Sequence, residues 1–527
     1  MRGADLLIAT LKAAGVTRIY SLSGNQIMPV YDACLTAGIR IVHTRHEGAA
    51  VFMAEAHAQM TGEVGVALVT AGCGLANALG PLLTARESDS PVLLLSGDSP
   101  VAQDGRGAFQ EMDQTGMTRP LTKLSLRPRK PADLGPATAR ALRVAMSGRP
   151  GPVHVALAFD AVEGDAGDAP VPLAPRRDRM AMAGGEAARI AEAMARAARP
   201  LILLGPVVSP TREPGLSDAL VDALDAPSIL MESPRGLRDP ALGQAGAALR
   251  EADVVLCLGK RVDFTLGFGA PFRDDAQVFL VTPDPAERDR AHLNLGTKLA
   301  ATSTADPRDA AEALIGAAQG GDRDAWRARV TDLLDAPPPE PDATDGISPA
   351  QIGAAVQRKL DADPRSVVIC DGGEFGQWAQ ATTRAARRIT NGISGAIGGG
   401  PCYALAAKMA DPEAPVIALV GDGTVGFHFA EFETAAREGV AFVVVVGNDR
   451  CWNAEAQIQI RDYGADRQIG CDLSGARYDA AVAALGGHGE YVTEAAGLDA
   501  ALDRALASGK PALVNVAMKG AAAPAGH

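Results

Sequence analysis

The chain has 527 residues, of which 47 % are apolar, 21 % charged and 4 % aromatic; it is too long for one hydrophobic core and too apolar for wholesale disorder. Its 50 basic and 63 acidic side chains leave a net charge of −13, which disfavours an electrostatic grip on nucleic acid or on an anionic membrane surface. Seven scattered cysteines, none in a Cys-x-x-Cys pair, point away from a disulfide framework or zinc ribbon and towards a reducing, cytoplasmic setting.

From the N-terminus, Leu6, Leu7, Leu11 and Lys12 fall at helical spacing and Gly15 stops the run, so a surface helix is expected here, not a targeting segment or membrane span. Amphipathic stretches then alternate with short apolar runs, Gly65–Val69 and Pro91–Leu95, the pattern of a parallel sheet with helices on both faces. The scheme repeats at Pro200–Leu204, Asp253–Leu258 and Gln277–Val281, and again at Ser366–Cys370, Pro415–Val420, Ala441–Val446 and Ala512–Val516. Between these blocks, Gly164–Gly185 and Ala336–Asp345 are rich in Pro, Gly and charge and read as linkers. The expected fold class is α/β, with three doubly wound domains of mainly parallel sheet at 1–165, 186–335 and 346–520.

The chemistry concentrates between Pro415 and Asn453. The first strand ends in Gly421-Asp422-Gly423-Thr424, a helix is expected over Phe427–Arg437, and the second strand ends in Gly447-Asn448-Asp449. In a parallel crossover both strands finish at the carboxyl edge of the sheet, so Asp422 and Asp449 face one crevice. Hard oxygen ligands beside glycines suit a Mg²⁺ ion holding a diphosphate, with the Thr424 hydroxyl and the helix start as further phosphate contacts. The bland alternative makes Gly-Asp-Gly a turn and Asn448-Asp449 a helix cap; the second carboxylate 27 residues on favours the metal.

This pattern resembles the diphosphate and metal site of thiamine diphosphate enzymes, in particular the acetolactate synthase and pyruvate oxidase-like superfamily. The resemblance implies metal ligation by Asp422, Asp449 and the Cys451 carbonyl. Most members carry Asn where this chain has Asp449, a change that keeps an oxygen ligand. His43-Thr-Arg-His46-Glu47-Gly-Ala-Ala resembles the segment whose glutamate meets N1′ of the aminopyrimidine, where a carboxyl is needed to promote loss of the C2 proton. A lone Glu is ordinarily a surface residue, but the apolar run Ala49–Met53 would bury this helix start.

Further likenesses span most of the chain. Tyr20-Ser-Leu-Ser-Gly24-Asn25 resembles the first active-site loop, and Thr70-Ala-Gly-Cys-Gly-Leu-Ala-Asn77 the Thr-Ser-Gly-Pro-Gly loop. Ala108-Phe109-Gln110-Glu111 resembles a substrate-channel segment. By the same resemblance Glu47, Gln110, Gly24 and Asn25 are candidate catalytic residues and Asn77 contacts the cofactor. Gly395-Ala396-Ile397-Gly398 would supply Ile397 as the prop for thiamine, and Gly373, Glu374 and Phe375 would contact the diphosphate, as would Gly421, Gly423 and Thr424. Each match taken singly is an ordinary packing or turn residue; their order and spacing carry the resemblance.

The resemblance implies a thiamine diphosphate- and Mg²⁺-dependent enzyme that cleaves or forms a C–C bond next to a carbonyl, a decarboxylase or carboligase acting on a small molecule. Thr265 and Ile458 stand where acetolactate synthases carry an Arg and a Trp, and Leu266–Arg273 looks more like 2-hydroxyacyl-CoA lyases; such a lyase, or one like oxalyl-CoA decarboxylase, is the alternative. Readings of other classes are a non-catalytic cofactor-binding paralogue and a Mg²⁺-dependent phosphotransferase. Lys123, Trp452, Asn453 and Gln457 either line the pocket or serve the fold. The central domain of some relatives binds FAD or ADP; no dinucleotide fingerprint is present here, and Arg261 and Arg273 either meet a nucleotide or lie on the surface. The family places its cofactor between the first domain of one subunit and the third of its partner, implying a homodimer or homotetramer.

Overall fold

The computed structural model describes residues 1–335 and 346–524. Three sheets are present, and every pairing within them is parallel. The first contains β1 (Arg18–Ser21), β2 (Arg40–His43), β3 (Gly65–Val69), β4 (Val92–Asp98), β5 (Ser125–Leu126) and β6 (Val153–Ala158), in the order 2-1-3-4-6-5. The second contains β7 (Pro200–Leu204), β8 (Ser228–Leu230), β9 (Val254–Leu258), β10 (Gln277–Val281) and β11 (Leu299–Ser303), in the order 11-10-9-7-8. The third contains β12 (Val367–Cys370), β13 (Arg387–Thr390), β14 (Val416–Gly421), β15 (Val443–Asn448), β16 (His488–Val492) and β17 (Ala512–Ala517), in the order 13-12-14-15-17-16.

The first and third sheets therefore share one topology, and the second is its five-stranded counterpart. All three reverse direction of growth beside their first strand, and it is at such switch points that open α/β sheets bind ligands. The apolar runs form strands because both faces are covered. Leu201 and Leu203 of β7 pack with Leu249 and Trp326 on one side, while Ile202 and Leu204 pack with Ile190 and Leu314 on the other. Each such buried aliphatic side chain contributes about 1.5–3 kcal/mol.

The described chain divides into two compact units. One comprises residues 1–178 together with 401–412 and 428–441; the other comprises 179–400, 413–427 and 442–527. Of the first expected linker, the residues between Glu163 and Gly184 carry neither helix nor strand, while Gly184 and Gly185 already open a helix; the second, Ala336–Asp345, lies outside the described residues. The helix expected over Phe427–Arg437 is a correction: a single helical turn, Asp422–Val425, is followed by non-helical turns over 426–430, and a separate helix covers Glu431–Glu438. The break falls where the chain passes from one unit to the other. Phe427 stacks edge-on against Trp452, whereas His428 packs against Phe52 and His46. Among the described residues no helix is long and apolar enough to cross a membrane.

Candidate active site

In the first unit the site residues gather at the carboxyl edge of the sheet, around the switch point between β1 and β3. Glu47 opens the helix Glu47–Thr61, whose preceding residue His46 caps it by accepting the Gly48 N–H on Nδ1 at 2.9 Å. Ala49 to Met53 are buried as the sequence implied, and Glu47 itself is only 8 % exposed. One of its oxygens accepts a hydrogen bond from Asn77 Nδ2 at 3.1 Å, which fixes the carboxyl's orientation. A buried carboxyl with one directed donor is poised to exchange a proton with a ligand nitrogen.

Gly24 lies beside Thr70, and Asn25 is exposed. The neighbouring Gln26, which the sequence did not single out, is the buried member of this loop. It accepts from Thr70 Oγ1 at 2.7 Å and donates through Nε2 to Gln110 Oε1 at 2.8 Å. Gln110 in turn donates to Cys73 Sγ at 3.3 Å and sits in the left-handed region at φ 59°. That conformation costs a non-glycine residue about 1–3 kcal/mol and persists only where neighbours hold it. Lys123 is remote from this cluster's work: its ammonium caps a helix end through the Val144 and Ser147 carbonyls.

In the second unit a cavity of about 200 Å³ opens at the carboxyl ends of β12, β14 and β15. The register pairs Gly421 with Gly447, so Asp422, directly after β14, and Asp449, directly after β15, leave the sheet at the same edge. Gly373, Glu374, Phe375, Gly395, Ile397, Gly423, Thr424, Cys451, Trp452 and Asn453 join both aspartates in the lining. Gln457 stands one step back, donating to Asn453 Oδ1 at 3.0 Å. The Thr424 hydroxyl donates to the Gly421 carbonyl at 3.0 Å. With only one helical turn behind it, Thr424 shapes the loop through this bond while lining the cavity.

Asp371, directly after β12, organises one wall. Its buried carboxylate accepts N–H groups from Gly372 at 2.7 Å, Gly398 at 3.1 Å and Gly400 at 3.1 Å. This draws the loop carrying Ile397 over the cavity. Arg450, at φ 61°, turns the chain between Asp449 and Cys451, and the Arg450 carbonyl and Trp452 N–H bond across to Leu473 and Cys471 at 2.7 Å each. The chain beyond β17 closes another side: Ala521 O accepts from Asn453, Ala522 O from Trp378, and Ala523 N–H donates to Glu374.

The electrostatics of the aspartate pair favour a cation. Asp422 Oδ2 is buried without a hydrogen-bond partner, an arrangement that costs about 1–3 kcal/mol unless something fills it. Burial pushes the Asp422 carboxyl up to about 6, against opposing backbone N–H groups. Burial and then the Asp422 charge push Asp449 up to about 7. An oxygen-loving divalent ion would pair with the orphaned oxygen and relieve the mutual repulsion, so the residues present fit Mg²⁺. Both carboxyls have folded-state values above 3.8, so the metal-free fold binds more protons than the unfolded chain between about pH 4 and 7 and loses stability as pH rises through that window. The expected result is a melting temperature of metal-free protein that falls from about pH 5 to 7.5, with a magnesium-induced gain that grows over the same range; differential scanning fluorimetry checks both.

A second expectation concerns the terminal strap. A Cβ at Gly520 would stand 2.9 Å from Asp449 Oδ2, so Gly520→Val must displace either the strap or the carboxylate. It is expected to weaken magnesium binding by ~10-fold, measured by calorimetry.

At the central sheet's carboxyl edge the chain's own groups fill the loops that would face a nucleotide. Lys260 Nζ donates to Thr265 Oγ1 at 2.6 Å, and Thr265 donates to Asp263 at 2.5 Å, all three being buried. Thr265, standing where some relatives carry an Arg, is thus part of that interior. Arg261 is also buried, while Arg273 pairs with Asp275 at 2.6 Å on the surface.

A buried glutamate stands at the switch point of one sheet, in the first unit, and paired carboxylates stand at that of another sheet, in the second. Comparison with known proteins shows the family. Residues 1–117 match the thiamine pyrophosphate enzyme N-terminal TPP binding domain, and residues 371–516 match the C-terminal TPP binding domain. The chain is 33 % identical to the acetolactate synthase large subunit IlvG of Mycobacterium tuberculosis, over 98 % of this chain and 95 % of that protein. It is 30 % identical to human 2-hydroxyacyl-CoA lyase 2, over 92 % of this chain and 84 % of that protein. The chain belongs to the thiamine pyrophosphate enzyme family.

Proposed function

We propose that the protein uses thiamine diphosphate and Mg²⁺ to cleave or form a C–C bond adjacent to a carbonyl, as a decarboxylase or carboligase of the acetolactate synthase type acting on a small 2-oxo acid. The observation that carries this reading is Glu47, buried at a helix start and oriented by Asn77, in a chain that also holds the aspartate pair. A non-catalytic binding module has no need of such a proton-exchanging carboxyl, and a phosphotransferase leaves it without a role. The 2-hydroxyacyl-CoA lyase reading is kept by a specific observation: Thr265 is interior and cannot grip an acceptor carboxylate as an arginine would.

When bound, thiamine diphosphate supplies a carbon nucleophile and electron sink for bonds next to a carbonyl. Glu47 holds a proton at its carboxyl for the pyrimidine nitrogen, and Asn77 keeps that carboxyl aligned. Gln110, fixed by Gln26, presents an amide to the substrate, with Gly24 and Asn25 in the same loop. Asp422, Asp449 and the Cys451 carbonyl hold Mg²⁺, Gly373, Glu374, Phe375, Gly421, Gly423 and Thr424 surround the diphosphate, and Gly395 and Ile397 support the thiamine body. Residues 1–165 are the pyrimidine-binding domain, 186–335 the central domain and 346–520 the diphosphate-binding domain. A homodimer is the minimal assembly, or a homotetramer, with each cofactor held by Glu47 of one subunit and Asp422 of the other. Seven free cysteines suit the cytoplasm.

One experiment tests cofactor, residues and assembly together. Glu47→Gln and Asp422→Ala proteins, each inactive, are unfolded, mixed in equal amounts and refolded with thiamine diphosphate, Mg²⁺ and a panel of 2-oxo acids and acyl-CoA compounds. Sites shared across a two-fold axis return about a quarter of wild-type turnover, because half the dimers are mixed and each has one intact site. No recovery overturns the shared site, and wild-type protein that neither binds thiamine diphosphate nor turns over any substrate overturns the function.

A further inference from the structure

The cavity in the second unit has one cationic side chain in its lining, and it comes from the central part of the chain. Arg235 follows β8, in a segment fixed at several points. Ser233 Oγ donates to Gln380 Oε1 at 3.4 Å. Asp239, 1 % exposed, pairs with Arg388 at 3.2 Å. Between them Gly236 adopts φ 56°, and a Cβ there would stand 2.1 Å from the Thr265 carbonyl oxygen, so only glycine allows the turn. This construction holds the backbone at Arg235 while its side chain is exposed at the cavity.

Arg235 makes no ion pair among the described residues, although it lies close enough to Glu374 to act on its charge. The other charged groups lining the cavity are the carboxylates Glu374, Asp422, Asp449 and Glu455. A 2-oxo acid is an anion, and such a wall repels it. Mg²⁺ on the aspartate pair serves the diphosphate, which leaves an incoming carboxylate with Arg235 as its counter-charge. A guanidinium offers two parallel N–H donors to a carboxylate.

We propose that Arg235, presented by the clamped segment Glu232–Asp239 at the mouth of the cavity, binds the carboxylate of the substrate and thereby selects anionic 2-oxo acids. This assignment rests on the function proposed above and names the residue that would recognise its substrate's carboxylate. The diphosphate carries the same chemistry, so the test separates the two sources. Thiamine diphosphate binding is followed by tryptophan fluorescence at fixed Mg²⁺, and binding of oxamate, an unreactive 2-oxo acid mimic, to the loaded protein is followed by calorimetry. Arg235→Gln is expected to weaken oxamate binding by ~10–100-fold and leave thiamine diphosphate binding within about twofold, with Arg235→Lys recovering part of the loss. In turnover, the KM for a 2-oxo acid rises while that for a neutral aldehyde acceptor does not. Unchanged oxamate binding in Arg235→Gln, or no oxamate binding by loaded wild-type protein, overturns the proposal. A parallel loss of thiamine diphosphate affinity assigns Arg235 to the diphosphate and also overturns it. Failure of wild-type protein to bind thiamine diphosphate at all is the separate result that removes the underlying function.

Discussion

Replacement of Glu47 by Gln is expected to lower turnover by ~10²–10⁴-fold, the range associated with losing a positioned proton-transfer group, while cofactor affinity changes by only a few-fold. The substitution is nearly isosteric, and Asn77 can still donate to the amide oxygen, so the geometry at the start of the helix Glu47–Thr61 is preserved. What is removed is the ability to hold and release a proton at that atom. The measurement is hydrogen–deuterium exchange at the cofactor C2 position followed by NMR, beside a binding titration. Exchange at the wild-type rate would remove Glu47 from the mechanism, and loss of binding would make it a structural contact. Asn77→Ala is expected to give a smaller version of the same effect, because the carboxyl remains but loses its directed donor.

The largest effect on metal binding is expected from Asp422. Its orphaned Oδ2 and its position directly after Gly421 make it the stronger of the two carboxylates among the proposed ligands. Outer-sphere partners are worth 10–100-fold in metal affinity, so removing the ligand itself in Asp422→Ala should weaken Mg²⁺ binding by at least ~100-fold and carry thiamine diphosphate affinity down with it. Asp449→Asn is expected to differ in kind. An oxygen remains at that place, the like charge facing Asp422 disappears, and Mg²⁺ affinity stays within about tenfold. The metal-free protein should then show a shallower loss of stability with rising pH, because burial and the Asp422 charge both raise Asp449. Calorimetry with Mg²⁺ and thermal melts across pH decide both outcomes; Asp422→Ala that binds metal like wild type would move the ion elsewhere.

The parts legible in sequence were those written in local pattern. Nine apolar runs became strands because parallel strands covered on both faces need uninterrupted apolar residues, and Gly65–Val69 and Gln277–Val281 match to the residue. The aspartate pair stood out because glycines mark the ends of two apolar runs, whereas Glu47 was singled out by the resemblance of its segment to a family motif and not by local pattern. What was hidden depends on tertiary contacts. Asn25 and Gln26 are neighbours in a three-residue helical turn, too short for any periodicity to tell which faces inward. The break after Val425 arises because Phe427 and His428 pack in different units, a requirement that local propensity does not express. Arg235 lies in no motif; its place follows from a glycine-only turn and from the ion pair between Asp239 and Arg388, more than a hundred residues apart in sequence.

The first unit also has a consequence for synthesis. It is completed by residues 401–412 and 428–441, with Tyr403 donating to the buried Glu55 at 2.9 Å and the Arg45 N–H to Glu431. A nascent chain that has emerged only as far as the central sheet therefore still shows the apolar side of the helix Glu47–Thr61, including Phe52, to the surrounding water. That surface must wait for about a hundred further residues, from the end of the central sheet at Ser303 to residue 401, to leave the ribosome, so holdase chaperones have a defined window, and a fragment truncated before residue 401 should be a sticky orphan, unlike a self-sufficient module.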